Sequence, residues 1–283
     1  MKKHLLILAI LGLGLAARPA AAAIEWQAGA PLKTTAAPVA VATSADGSRT
    51  FVLVEGGKVQ IFDNTGNLRD TIEGLDQNLN HITCDGDGKR IIVSSRKDNL
   101  ALPIDISYRF PFDYTDSPVQ GKADAPVVLV LFSDFQCPYC STVKAQLDQL
   151  LEKNPDTLKI VYKAYPLPSH KMSMPAVLAA FAANKQGHFW DFYEKLYSDF
   201  RNLSPERIKL YASELKLDMA QYEKDLADQK VQAQVGRDLR EAQMSGVGGT
   251  PTMFINGLLV QNRSPQGMQE MIDRELSKRA KGK

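Results

Sequence analysis

At 283 residues, 44% of them hydrophobic and 23% charged, the chain holds enough apolar material for one large core or two domains, which excludes a disordered polypeptide. A formal charge of +2 excludes the broad basic surface of a nucleic-acid binder, and three cysteines are too few for a disulfide-stapled scaffold.

The first element is an export signal. Lys2 and Lys3 precede a largely apolar run over residues 5–17, followed by Pro19 and four alanines at 20–23. That order predicts a cleavable secretory signal peptide over residues 1–23, with Ala21 and Ala23 as the small residues before the cut. A membrane anchor is the other reading of the run, which is short against the roughly 20 residues a span needs. Losing Lys2, Lys3 and Arg18 takes the formal charge from +2 to −1, so the mature chain is nearly neutral. The expected location is the periplasm or another exported compartment, where disulfides persist. Cys84, Cys137 and Cys140 are therefore read in an oxidising setting.

Residues 24–112 predict a small β domain. Short β-branched or apolar runs at 39–41, 50–55 and 58–63 are divided by Asp46-Gly47 and Gly56-Gly57. The same grammar returns at 81–84, 90–95 and 100–106, with Asp87-Gly88 standing 41 residues after Asp46-Gly47. The two units resemble β-propeller blades, but a closed ring needs at least about four. So small a sheet leaves an apolar face and free edges, so the expectation is that it packs on the second domain or makes the protein a homo-oligomer. Residues 113–121, with Pro118 and no periodicity, read as a linker.

Residues 122–283 predict an α/β domain. A strand over 127–132 is followed by a helix whose Val143, Leu147, Leu150 and Leu151 share one face, stopped by Pro155. A strand follows at 158–164. Helices then fill about 173–244, with an aromatic core stripe at Phe189, Phe192, Tyr193, Leu196, Tyr197 and Phe200, and a Ser204-Pro205 start signal. A strand at 252–255, the Asn256-Gly257 turn, a strand at 258–260 and a helix over about 265–279 complete the chain. The fold class is a mixed sheet flanked by helices and interrupted by a helical insertion.

Chemistry concentrates at Cys137-Pro138-Tyr139-Cys140, on the turn between the strand at 127–132 and its helix. A cysteine at a helix N-terminus meets unpaired amides and the positive end of the dipole, which favour a thiolate. Cys137 is thus the expected nucleophile. Cys140, one turn further in, is the expected resolving thiol.

With these residues, Asp124-Ala125-Pro126, residues 165–170, Met174-Pro175-Ala176, residues 186–190, Gly249-Thr250-Pro251-Thr252 and Ile255-Asn256-Gly257, the sequence resembles DsbA-like thiol-disulfide oxidoreductases of the thioredoxin-fold superfamily over about residues 116–277. The resemblance implies that Pro251 is cis and faces the cysteines, with Thr250 beside the substrate, so that Thr250, Pro251, Pro138 and Tyr139 form a client-docking edge that reads main chain. One departure stands out. Six residues before the first cysteine such proteins commonly carry a buried acid that helps move the proton of the resolving thiol, and here that place holds Leu131. Asp134 is either a substitute acid or a polar residue ending a strand. His170 and His188 read as structural or as acid-base groups, and one close cysteine pair does not make a zinc site. No cofactor is expected. Cys84 is a buried thiol or a link to another cysteine.

The functional expectation is an exported protein thiol-disulfide oxidoreductase. It would exchange its Cys137–Cys140 disulfide with cysteines of other exported proteins and depend on a separate redox partner, with oxidase as the direction. An isomerase or reductase made dimeric by the β domain is the alternative. A client-binding or chaperone module with incidental cysteines is the alternative of another class.

Overall fold

The computed structural model describes residue 25 and residues 27–281; the expected signal peptide lies outside them. Among the described residues no helix is long and apolar enough to cross a membrane. The chain divides after Ile106 into two compact units.

The first unit is made of two antiparallel meanders. Strands β1 (Pro38–Thr43), β2 (Arg49–Val54), β3 (Lys58–Asp63) and β4 (Leu68–Ile72) pair in that order. A three-stranded sheet of β5 (His81–Cys84), β6 (Arg90–Ser95) and β7 (Leu100–Asp105) follows. Phe51, Leu53, Val59 and Ile61 of the first sheet share a core with Leu79, Ile82, Ile91 and Val93. The alternation of the sequence thus turns one face of each sheet inward. The repeated Asp-Gly turns do equivalent work: Ser44 N–H donates to Arg49 O at 3.0 Å beside the first, and Asp85 N–H to Arg90 O at 2.9 Å beside the second.

The blade-like reading needs correcting here. These are two open meanders, the second one strand shorter, because after β7 the chain leaves for the second unit. Among the described residues neither closes on itself. Strand β4 escapes a pattern-based reading because its residues are largely exposed and polar, so it has no apolar alternation to announce it.

The second unit holds a five-stranded mixed sheet. The new strands are β8 (Val119–Gly121), β9 (Val127–Ser133), β10 (Leu158–Ala164), β11 (Thr252–Ile255) and β12 (Leu258–Leu259), in the order β12-β11-β9-β10-β8. β9 and β10 are parallel, joined over the sheet by α1 (Pro138–Lys153), while β8 and β11 run antiparallel to them. Both faces of β9 are covered: Leu129 and Leu131 enter the large core with Ile160 and Tyr162, and Val130 and Phe132 enter a second core with Val161 and Phe254. This explains the unbroken apolar run in the sequence.

Five helices separate β10 from β11: α2 (Ser173–Asn184), α3 (Phe189–Ser198), α4 (Pro205–Glu214), α5 (Met219–Leu226) and α6 (Gln229–Met244). Ser204 caps α4 by accepting from Arg207 N–H, with Pro205 at its first turn. The aromatic stripe of α3 is core. The final helix is α7 (Pro265–Lys281).

The segment expected as a linker, residues 113–121, is instead built into this unit. Val119–Gly121 is a sheet strand, Tyr162 N–H donates to Pro118 O at 3.0 Å, and Gln234 Nε2 donates to Asp116 O at 2.7 Å. Just before it, Phe112 packs 4.9 Å from Phe254 and 5.6 Å from Phe132, ring centre to ring centre. A stretch without periodicity can still be tied down when its partners lie far away in sequence.

Candidate active site

β9 ends at Ser133 and the chain turns through residues 134–136 into α1, so the cysteines sit at the carboxyl end of a central strand. Cys137 is the residue immediately preceding α1, in extended backbone, with Pro138 opening the helix. Proline suits that position because the first-turn N–H it lacks has no partner within the helix. Among the described residues no side chain caps this end, and the first turn contains no acid. The positive end of the helix thus lies at the sulfur, with the buried Asp134 carboxylate three residues before it.

Two loops hold this turn. The Asp134 carboxylate is wholly buried and accepts from Gln136 N–H at 2.7 Å and Leu167 N–H at 2.7 Å, with His170 Nδ1 at 3.0 Å. Gln136 Oε1 accepts from Met172 N–H at 2.5 Å. Asp134 thus staples the motif to the loop after β10, and His170 belongs to that staple. His188 does not join the site: its Nδ1 lies 3.0 Å from Asp191 Oδ2 on the exposed start of α3.

The other side is formed by residues 249–251, brought there because β11 runs antiparallel to β9, with Thr252 opposite Phe132. The Thr250–Pro251 peptide bond is cis, and the Cys137 thiol donates to Thr250 O at 3.5 Å. Arg263 Nη1 donates to Pro251 O at 3.0 Å. A groove runs past this point, lined by Tyr139, Thr142, Val143, Gln146, Thr250, Pro251 and Arg263, and Tyr139 is 75% exposed in it. Pro138 is exposed as well. The structure thus brings together all six expected site residues.

Both sulfurs are recessed. Cys137 is 3% exposed and Cys140 fully buried, and both are free thiols. Burial pushes the Cys140 thiol up to about 12, while the Ser133 hydroxyl, the Asp134 N–H and the Thr250 hydroxyl pull it back and the nearby Cys137 adds to the rise. A thiol so placed reacts through its neighbour and not with solvent. Beneath it lie aromatic rings: Phe135 stacks on Tyr162 at 5.5 Å, and Tyr197 is 5.1 Å from Phe135. Burial raises Tyr162, Tyr193 and Tyr197 above the usual phenol range, so they stay neutral.

Sequence reasoning missed Ser133, Tyr197 and Arg263. The signal for Ser133 is a hydroxyl closing an otherwise apolar strand, and for Tyr197 a phenol where phenylalanine would fill the core as well. Cys84 lies in the first unit, where its Sγ donates to Asp85 O at 3.3 Å and burial, then Asp85 and Asp46, push its thiol up. Among the described residues no group of three or more His, Cys, Asp or Glu side chains is placed to hold a metal ion.

A family model described as Thioredoxin matches residues 114–274. Among curated relatives, the Na(+)/H(+) antiporter NhaA 3 of Salinispora tropica is 34% identical over 153 residues, covering 54% of this chain and 23% of that protein. The Na(+)/H(+) antiporter NhaA 1 of Mycolicibacterium gilvum is 32% identical over 158 residues, covering 55% and 26%. The match therefore spans about a quarter of the length of these relatives. Among solved structures, BdbD from Bacillus subtilis in its oxidised form is 26% identical with a TM-score of 0.54, covering 60% of this chain and 98% of that one. A thioredoxin-like oxidoreductase from Silicibacter pomeroyi is 27% identical with a TM-score of 0.51, covering 58% and 94%. The family match covers more than half of the chain and lies within the second unit, and by it the chain belongs to the thioredoxin family, as a DsbA-like oxidoreductase domain behind an additional N-terminal β-rich region.

Proposed function

We propose that the protein is an exported thiol-disulfide oxidoreductase that passes a Cys137–Cys140 disulfide to cysteine pairs of other exported proteins. The observation that carries this reading is the placement of Cys137 at the uncapped start of α1, against Thr250 O and the open groove, with Cys140 buried behind it. A client thiolate attacks Cys137 Sγ, and the electron pair of the broken S–S bond stays on Cys140. A second client thiolate then attacks the client sulfur of the mixed disulfide and expels Cys137 as a thiolate. The client leaves with one new disulfide and the enzyme holds two thiols, so a redox partner protein must remove two electrons and two protons. The client backbone runs along the edge made by Thr250, Pro251, Pro138 and Tyr139, and contact through main chain fits many clients. Export rests on the leader at residues 1–23.

Oxidase is the direction of this reading, with a dimeric isomerase or reductase as the alternative.

Turnover of reduced ribonuclease by wild type and by Cys137→Ala tests the activity. The variant should lose it, and equal activity in both would sink the enzyme reading in favour of a client-binding module. A redox titration tests the direction: a midpoint near about −120 mV is expected of an oxidase, and one near about −270 mV would make the protein a reductant.

A further inference from the structure

Arg263 lines the groove beside the cysteines and has more donors than its surroundings use. It lies between β12 and α7, where its backbone is held from both sides: Val260 N–H donates to Met253 O at 2.9 Å before it, and Ser264 Oγ accepts from Gly267 N–H at 3.1 Å after it. The residue is exposed, and its Nη1 donates to Pro251 O at 3.0 Å. Among the described residues no other hydrogen bond and no ion pair joins it. A guanidinium carries five N–H donors in a flat fork. With Nη1 engaged, the Nε–Nη2 edge has no partner, and that edge matches the two oxygens of a carboxylate.

The rest of the groove is neutral. Tyr139, Thr142, Val143 and Gln146 come from α1, and Thr250 and Pro251 from the opposite side, so among the described residues lining it Arg263 is the one charged side chain. Nearby acids are engaged elsewhere: Asp134 is wholly buried against Leu167 N–H and His170, and Asp148 of α1 lies 2.7 Å from Lys144. One residue thus sets the sign of this edge. Its place relative to the sulfur is fixed as well, because the Cys137 thiol lies 3.5 Å from Thr250 O, and the next carbonyl along, Pro251 O, is the one that holds Nη1. The guanidinium therefore stands on the order of 10 Å from the sulfur, about three residues of extended chain.

We propose that Arg263 selects clients: its open edge takes the carboxylate of an Asp or Glu that stands within about three residues of the client cysteine attacking Cys137. This rests on the dithiol reading given above. The exchange itself is unchanged, since the client thiolate forms its bond to Cys137 Sγ while the Cys137–Cys140 bond breaks and leaves its electron pair on Cys140. The ion pair holds the client in line. Arg263 is thus a specificity-determining residue, and an exposed pair of this kind acts through encounter and orientation.

The test uses the full-length oxidised protein and synthetic dithiol peptides that differ only at the residue two places after each cysteine, which is Glu, Gln or Lys. Peptide oxidation in a single turnover is read by acid quench, alkylation and mass. Each rate is divided by that of the same peptide with 2-hydroxyethyl disulfide, which is neutral and so cancels the effect of the charge on the peptide's own thiols. Wild type should favour Glu over Gln by about threefold and Gln over Lys by a similar factor, the size expected of one exposed pair, and about 1 M salt should erase the preference. Arg263→Gln should bring the normalised rates together, Arg263→Lys should keep their order, and Arg263→Glu should reverse it. Only the ratios count, because a brace lost at Pro251 slows every peptide alike. Equal normalised rates in wild type would overturn the proposal, as would a Glu preference that persists in Arg263→Gln or at high salt. If the oxidised protein leaves untouched all the peptides that 2-hydroxyethyl disulfide oxidises, the dithiol reading itself falls, an outcome distinct from equal rates.

Discussion

At the scale of single residues, the second unit contains a charge imbalance that its sequence does not advertise. Lys163, on β10, has its ammonium 3.2 Å from Asp238 Oδ1 and 2.8 Å from Glu241 Oε2, with all three side chains nearly closed to solvent. Two carboxylates thus face one cation. Burial pushes Asp238 up to about 6, Glu241 adds to the rise, and Lys163 and the Ala164 N–H oppose it. The folded value lies above the ordinary carboxylate value of 3.8, so between these two values the native state binds the proton more readily than the unfolded chain. The stability this proton gives is fully present below about pH 4 and is lost as pH rises through about 6. Asp238→Asn should therefore abolish a decline of about 3 kcal/mol between pH 4 and 7, read as the difference in denaturant midpoint between variant and wild type at each pH. Equal pH slopes in the two proteins would show that Asp238 ionises as freely as in water. The cysteine pair was legible because its meaning is local, two sulfurs one helical turn apart behind a strand. The Lys163 cluster was not, since its partners lie about 75 residues downstream and no spacing rule joins them. Asp134 falls between these cases: its position at the strand end was readable, its staple to Leu167 and His170 was not.

At the scale of elements, strands and helices with an apolar face were readable from their period, and those without one were not. Strand β8 has three residues, pairs among the described residues only with β10 and carries no alternation long enough to detect. The hairpin at Asn256-Gly257 shows the converse, a turn announced by two residues whose φ values are +46° and +80°, as the tight turn requires. That glycine is needed for a second reason which only the packing reveals. A Cβ there would stand 2.5 Å from Phe110 O, while Phe110 N–H donates to Gly257 O at 2.9 Å. Gly257→Ala therefore has to strain the turn and also push residue 110 away. Gly246, after α6, also has positive φ but open space around its Cβ direction, so it isolates the strain alone. We expect Gly246→Ala to cost about 1 kcal/mol and Gly257→Ala about 2–3 kcal/mol in chemical denaturation. Equal losses would mean that residues 109–112 do not press on the hairpin.

At the scale of the whole molecule, the boundary between the units decides what can be cut away. A boundary drawn from periodicity falls at residue 122, where the recognisable strand begins. Contacts put it at 106. Between the two lies an arm that fastens to several elements of the second unit. Arg109 makes a two-pronged ion pair with Glu275 of α7 at 2.7 and 2.8 Å, and Phe112 is 8% exposed among the rings of the second core. Strand β8 pairs with β10, and Trp190 Nε1 of α3 donates to Val119 O at 2.9 Å. Losing one buried phenylalanine costs about 3–5 kcal/mol, and stripping an aromatic core of its cover adds to that. A domain of this size has only about 5–15 kcal/mol in total. A chain of residues 107–283 should therefore fold and exchange disulfides with dithiothreitol at a rate within about twofold of the full-length protein, since the cysteines, Ser133, Tyr197 and residues 249–251 all lie within it. A chain of residues 122–283 should be expressed insoluble or melt far below it, with Glu275 stripped of Arg109 and Lys163 of its hydrogen bond to Asp113 O. Circular dichroism melts of the two truncated chains decide the point: similar midpoints would mean that residues 107–121 lie on the second unit without supporting it, and failure of both would mean that the β-rich first unit is required for the fold that holds the cysteines.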